Sequence, residues 1–310
     1  MNTPANTVPE SAADAQGIAP AVLSATRPLY WSVRRELWES RSIYLAPLGV
    51  AAVFLFGVLV GLITLPRHMR AALALDPIQQ QEALRQPYSF AAVLIMGTAF
   101  LVGVFYCLDA LHGERRDRSI LFWKSLPVSD LTTVLAKASI PIVILPLLSF
   151  AITVATQLIM LLLSSAVLLA IGMDVATLWR QVPLFHMSLM LLYHLVTVHG
   201  LWYAPIYAWL LLVSAWARRA AFLWAALPLL AIGAIEHIAF NTSHFAATLG
   251  QRMAGPEAFP VKAGGHASMD PLGPADPGKF LSAPGLWIGL VLAAAFLAGA
   301  VRLRRYRDPI

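Results

Sequence analysis

An all-α polytopic membrane protein with six transmembrane helices is predicted, and three observations predict it. Only 12% of the 310 residues are charged while 59% are hydrophobic, at a mean hydropathy of +0.70. A soluble domain is about 25% charged. The apolar residues come in unbroken blocks, each long enough for the roughly 20 residues that cross a bilayer core. The basic residues gather just outside those blocks, where they meet anionic headgroups. That placement accounts for the net charge of +6 and the pI near 9.7 without nucleic acid as a partner. In lipid each span must satisfy its own backbone hydrogen bonds, so the blocks are read as helices.

Residues 1–26 are polar and rich in Ala, Pro, Ser and Thr, with neither a basic n-region nor an apolar h-region. They are expected to form a disordered cytoplasmic tail and no signal peptide. Pro28–Arg41 then reads as an interfacial helix. Tyr30, Val33 and Leu37 share a face flanked by Trp31 and Trp38, and Arg35 and Glu39 stand i,i+4 on the other side. Arg34 and Arg41 can reach lipid phosphates.

The spans are expected at 43–65, 88–110, 139–172, 187–216, 221–240 and 284–301. The run from Lys137 to Asp174 holds no charge between its ends, so it is one long span, kinked near Pro141 and Pro146, or two short ones. Charge bias decides for one. With six spans, Arg27, Arg34, Arg35, Arg41, Arg115, Arg116, Arg118, Lys124, Lys137, Arg218, Arg219, Arg302, Arg304, Arg305 and Arg307 share a side, 15 of the 22 basic residues. Basic residues favour the cytoplasm, which places both termini there in a multi-pass cell (cytoplasmic or inner) membrane protein.

Outside, Asp76-Pro77 is a helix-start signal ahead of Gln79–Arg85. The loop 241–283 is rich in proline and glycine and is expected to fold irregularly over the outer mouth. Gly57 and Gly61, and Gly285 and Gly289, permit close helix contacts. The single cysteine, Cys107, excludes a disulfide within the chain and lies inside a span, where a buried thiol is expected.

No HExxH, GxSxG or CxxC pattern occurs, and no metal site is expected. Gly273–Lys279 matches the start of a phosphate loop. Phe280 stands where Ser or Thr would hold Mg²⁺, Pro274 and Pro277 remove backbone donors, and no strand precedes it. It is rejected. His194 and His199 in the fourth span, and Glu236 at the end of the fifth, are ionisable groups at or near membrane depth and so candidates for a substrate path. The two histidines stand five apart and are not expected to stack as i,i+4 ligands would.

The loop 111–137 carries the most information. A charged run, Glu114, Arg115, Arg116, Asp117 and Arg118, precedes Ile120, Trp123 and Leu126, which recur every three residues beside Leu121 and Phe122. This spells a short apolar helix that Pro127 ends, with Ser129 or Asp130 capping the next one. Held at the inner surface, such a helix either fits a groove on a soluble partner or seats its aromatics among headgroups.

This loop resembles that of the permease subunits of the type-2 ABC exporter family: Glu114–Leu121, then Leu126-Pro127-Val128-Ser129, then Lys137 entering the next span. Six spans, the interfacial helix and the large outer loop before the last span match that layout too. Arg118-Ser119 departs from the family's frequent Gly-Thr. The resemblance implies a cytoplasmic coupling helix in which Glu114, Arg115, Arg116, Asp117, Arg118, Ile120, Trp123, Leu126 and Pro127 meet an ABC ATPase subunit. Trp123 and Leu126 would be its apolar anchors, and Arg115, Arg116 and Arg118 its charged contacts. It further implies a second permease copy or paralogue, with ATP and Mg²⁺ bound on the partner ATPase and no cofactor on this non-catalytic chain. Two rivals are an intramembrane lipid-modifying enzyme built on Glu236, His237, His244 and His266, and a non-transporting scaffold or sensor partner.

Overall fold

Apolar blocks flanked by charge become long helices. The computed structural model describes residues 26–125, 128–255 and 277–306, and among these it contains helices and no strand. Six helices are long and apolar enough to cross a membrane: Ser42–Gly61, Pro77–Arg116, Asp130–Ala170, Ala176–Trp202, Ala221–Phe240 and Pro284–Tyr306. The chain is therefore read as a multi-pass membrane protein.

Helix α1 (Thr26–Glu39) stops at Ser40, and α2 (Ser42–Gly61) follows as the first crossing. A short α3 (Leu65–Leu73) leads to α4 (Pro77–Ala110). Asp76 is the N-cap of α4 with extended ψ, as its sequence signal predicts. The helix expected over Gln79–Arg85 does not end there, however. It runs through Pro87 into the second crossing, and α4 spans 34 residues. Two small helices follow, α5 (His112–Arg116) and α6 (Ser119–Ser125), and then α7 (Asp130–Ser139). Ser129 caps α7, its Oγ accepting the N–H of Thr132 at 3.1 Å.

The charge-free run is one continuous crossing. Its kink is a π-helical turn, Ile140–Ile144, between α7 and α8 (Leu145–Ala170). Pro141 lies in that turn and lacks the N–H an α-helix needs, so the ladder shifts by one residue. The fourth crossing runs through α9 (Ala176–Gln181), α10 (Leu184–His194) and a second π segment (Leu195–Trp202), and the shorter apolar helix α11 (Ala204–Trp216) follows it. The two π segments touch. A Cβ on Gly200 would sit 3.3 Å from the carbonyl oxygen of Ile142, a tight contact that glycine relieves as the two backbones approach.

The fifth crossing, α12 (Ala221–Phe240), is mostly exposed and keeps the predicted bounds. In the described parts of the loop before the last crossing, α13 (His244–Ala254) and α14 (Pro277–Ser282) are helical where irregular chain was expected, residues 256–276 lying outside the described ones, and α15 (Pro284–Tyr306) completes the bundle. The expected tail lies, but for Thr26, outside the described residues. So do Leu126, Pro127, His266, Arg307 and most of the Gly273–Lys279 stretch.

Helices α4, α8 and α11 form the interior. One apolar cluster joins Tyr106, Cys107, Leu145, Tyr203, Tyr207 and Leu211, and another joins Tyr88, Met96, Met160, Leu161 and Leu191. Cys107 is buried and unbonded, as expected. Gly285 meets the Trp202 ring, but among the described residues nothing lies within 4 Å of a Cβ placed on Gly57 or Gly61. Large apolar side chains such as Val53, Phe56 and Val60 on α2 and Ile238 and Phe240 on α12 point outward, a surface suited to lipid.

Candidate functional site

At the end of the bundle where α1, α5, α7 and α15 meet, six ionic side chains that are scattered through the sequence converge. Lys137, on the last turn of α7, donates to both oxygens of Glu36 at 3.0 and 3.1 Å and lies 3.2 Å from Glu114 Oε1. Arg304, on α15, donates to Glu114 Oε2 at 3.1 Å and to Asp130 Oδ1 at 2.6 Å. Arg35 bridges Glu36 at 2.7 Å and Glu114 at 3.0 Å, and Tyr106 donates to Glu36 Oε2 at 2.8 Å. Glu36, Glu114, Lys137 and Arg304 are each at most 5% exposed. Three carboxylates face three cations, so burial is compensated pair by pair.

The charged run thus divides in two. Glu114 lies inside the network. Arg115 is buried as well, its Nη1 donating to the carbonyls of Ala215 and Ala217 at 2.8 and 3.3 Å. Those are orphan carbonyls at the end of α11, and a cation there also meets the favourable end of the helix dipole. Arg115 is therefore not the outward contact expected of it. The backbone N–H groups of Leu111 and His112 donate to Ser214 Oγ, and His112 Nδ1 lies 3.2 Å from the carbonyl of Ala217. The loop is riveted to the end of α11. Arg116, Asp117 and Arg118 face outward.

Helix α6 is divided similarly. Ile120 is buried, Leu121 and Phe122 are 59% and 60% exposed, and Trp123 is half-buried. The guanidinium of Arg35 stacks over the Trp123 ring at 3.7 Å. Trp123 therefore fastens α6 to α1, and the outward apolar groups are Leu121 and Phe122. Trp123, expected as an outer anchor, thus gives one ring face to Arg35.

Arg118 has φ +57°, the left-handed region. This backbone position favours glycine. R118G is expected to raise stability by about 1 kcal/mol, seen as a higher melting temperature in detergent.

His194 and His199 come together, against the five-residue argument. The π segment between them bonds i to i+5, which brings fifth neighbours into register. Their ring centroids are 6.3 Å apart, and His199 packs edge-on to Tyr203 at 5.5 Å and Phe100 at 6.4 Å. Both are buried. On α8, the hydroxyls of Ser149 and Thr153 and the amide oxygen of Gln157, spaced by four on one buried face, have no hydrogen-bond partner among the described residues. Among the described residues no three metal-ligating side chains come together.

Glu236 does not join His194 and His199. It caps α13: its carboxylate accepts Thr242 Oγ1 at 2.9 Å and the backbone N–H groups of His244 and Phe245 at 2.8 Å each. At the other end of α13, Arg252 stacks on Trp202 at 4.3 Å and donates to the carbonyl of Gly285 at 2.8 Å. Two fastenings explain why helix forms where irregular loop was expected. E236Q is expected to weaken this cap by about 1–2 kcal/mol, read as faster hydrogen exchange confined to 242–254.

Glu36, Arg304, Tyr106 and Asp130 had no part in the predicted site. A carboxylate between Val33 and Leu37, on the face of α1 that packs inward, was the available signal for Glu36. No protein family, curated protein or solved structure was found to match the chain.

Proposed function

We propose that the chain is the membrane-spanning permease subunit of an ATP-driven exporter of the type-2 ABC class, in the cytoplasmic (inner) membrane. It would pair with a second permease copy or paralogue and take its energy from a separate ATPase that binds ATP and Mg²⁺. The observation that carries this reading is a short helix, α6, with Leu121 and Phe122 outward, mounted on an ion network joining α1, the end of the second crossing, and the helices of the third and sixth. A push on α6 reaches three crossings through charge-assisted bonds that resist stretching. That is what a coupling element needs: a surface for the partner and a stiff path to the spans. The basic bias of this end supports its cytoplasmic placement.

Cargo of amphipathic or hydrophobic character suits a bundle whose interior holds few charges. The buried hydroxyls of α8 and the His194–His199 pair would reach such a cargo only after the crossings rearrange. The touching π segments are the natural hinge for that movement, because π turns can revert to α geometry.

The test is co-isolation. The tagged chain is purified from its native membrane in mild detergent and its companions are identified by mass spectrometry. A stoichiometric soluble protein with a phosphate-binding loop is expected. A preparation that lacks one, reproduced after gentle crosslinking, overturns the proposal.

A further inference from the structure

Helix α1 has two working faces. The inward face carries Glu36 and Arg35 into the ion network. The outward face presents Trp31 and Trp38, 58% and 69% exposed, with Arg34 between them. The Arg34 guanidinium lies 5.2 Å from the Trp31 ring centroid and 4.8 Å from that of Trp38. Residues 31, 34 and 38 stand i, i+3, i+7 on the helix, so the three planar groups form one ladder. Among the described residues no carboxylate pairs with Arg34; the carboxylates of α1 are used by Arg35 and Lys137.

We propose that Trp31, Arg34 and Trp38 form a binding site for the headgroup of an anionic phospholipid. The site sits immediately before the first crossing, and α2 continues with exposed Leu45 and Leu48. A phosphate bound to Arg34 would thus have acyl chains running down an apolar wall. A guanidinium matches phosphate in a planar two-bond geometry, and tryptophan prefers the headgroup level of a bilayer. Stacking between two rings holds the fork in place and lowers the ordering cost on binding. Charge complementarity selects an anionic headgroup over a zwitterionic one. This inference is independent of the exporter reading, since it needs only the first crossing to be in lipid.

The test uses the full chain, delipidated in mild detergent and incubated with equal amounts of phosphatidylglycerol and phosphatidylcholine. Native mass spectrometry counts the lipids retained. The wild-type chain is expected to prefer phosphatidylglycerol, and R34Q to retain about fivefold less of it with phosphatidylcholine unchanged and an unshifted melting temperature. R302Q removes an exposed cation from the same end and is expected to leave the preference intact. The W31A/W38A chain keeps the arginine and is expected to lose the preference as well. The proposal is overturned if R34Q binds phosphatidylglycerol like the wild type. It is equally overturned if R34Q and R302Q lose it alike, which would mean diffuse charge attraction. Retention by W31A/W38A would reduce the site to a bare cation, and displacement of the lipid by inorganic phosphate would make it a free-anion site; either result defeats it.

Discussion

K137M is expected to destabilise the folded chain by about 3–5 kcal/mol. The ammonium is 2% exposed and sits between Glu36 and Glu114. Glu114 keeps Arg304 and Arg35 when Lys137 is lost, but Glu36 keeps only the partly exposed Arg35, which it shares with Glu114, and the Tyr106 hydroxyl. The cost therefore falls on one stranded carboxylate. Neutralising that carboxylate should recover most of the loss, so K137M/E36Q should melt well above K137M alone. A double-mutant cycle in detergent measures the coupling. Added salt should change little, because the pair is shielded from solvent ions. If K137M melts within about a degree of the wild type, the ion network is not what holds this end together.

The crossings were legible in the sequence because they rest on a one-dimensional property. A block of apolar residues closed by charge is a membrane helix whatever its neighbours do, and 221–240 was bounded without reference to any contact. Ser129 as the cap of α7 was equally local. The π turns were not legible in the same way. Pro141 signalled a kink, but the segment around His199 holds no proline, and its wide turn arises where Gly200 lets two helices touch. Spacing arguments on an assumed α-helix therefore separated two histidines that the structure joins.

The site was half legible. The loop announced itself by its charge run, but sequence gives no means of deciding which charges turn inward. Arg115 and Arg116 are adjacent and identical, yet one caps α11 and the other faces out, because the carbonyls of Ala215 and Ala217 lie some hundred residues away. Glu36 and Arg304 complete Glu114 and Lys137 from opposite ends of the chain. Only the fold brings such partners together, and charge balance in a buried cluster is a property of the set.

The division of α6 into an inward and an outward half yields the prediction that bears most directly on function. If the chain is the proposed permease, L121A/F122A is expected to lose its ATPase on co-isolation, each truncation costing about 2 kcal/mol of binding, or about 30-fold in affinity. Both side chains are more than half exposed, so the melting temperature of the isolated chain should stay within a degree or two of the wild type. W123A should behave differently. It removes the ring under Arg35, loosens α6 from α1, and lowers stability and partner binding together. The contrast separates an anchor from a fastening, which a survey of binding alone would not do. Should L121A/F122A keep the ATPase and its coupled activity while W123A loses both, α6 would be an internal brace and the partner surface would have to be sought on the exposed Arg116–Arg118 turn. Should both variants keep them, the chain would not couple through this loop, and the exporter reading would lose the observation on which it stands.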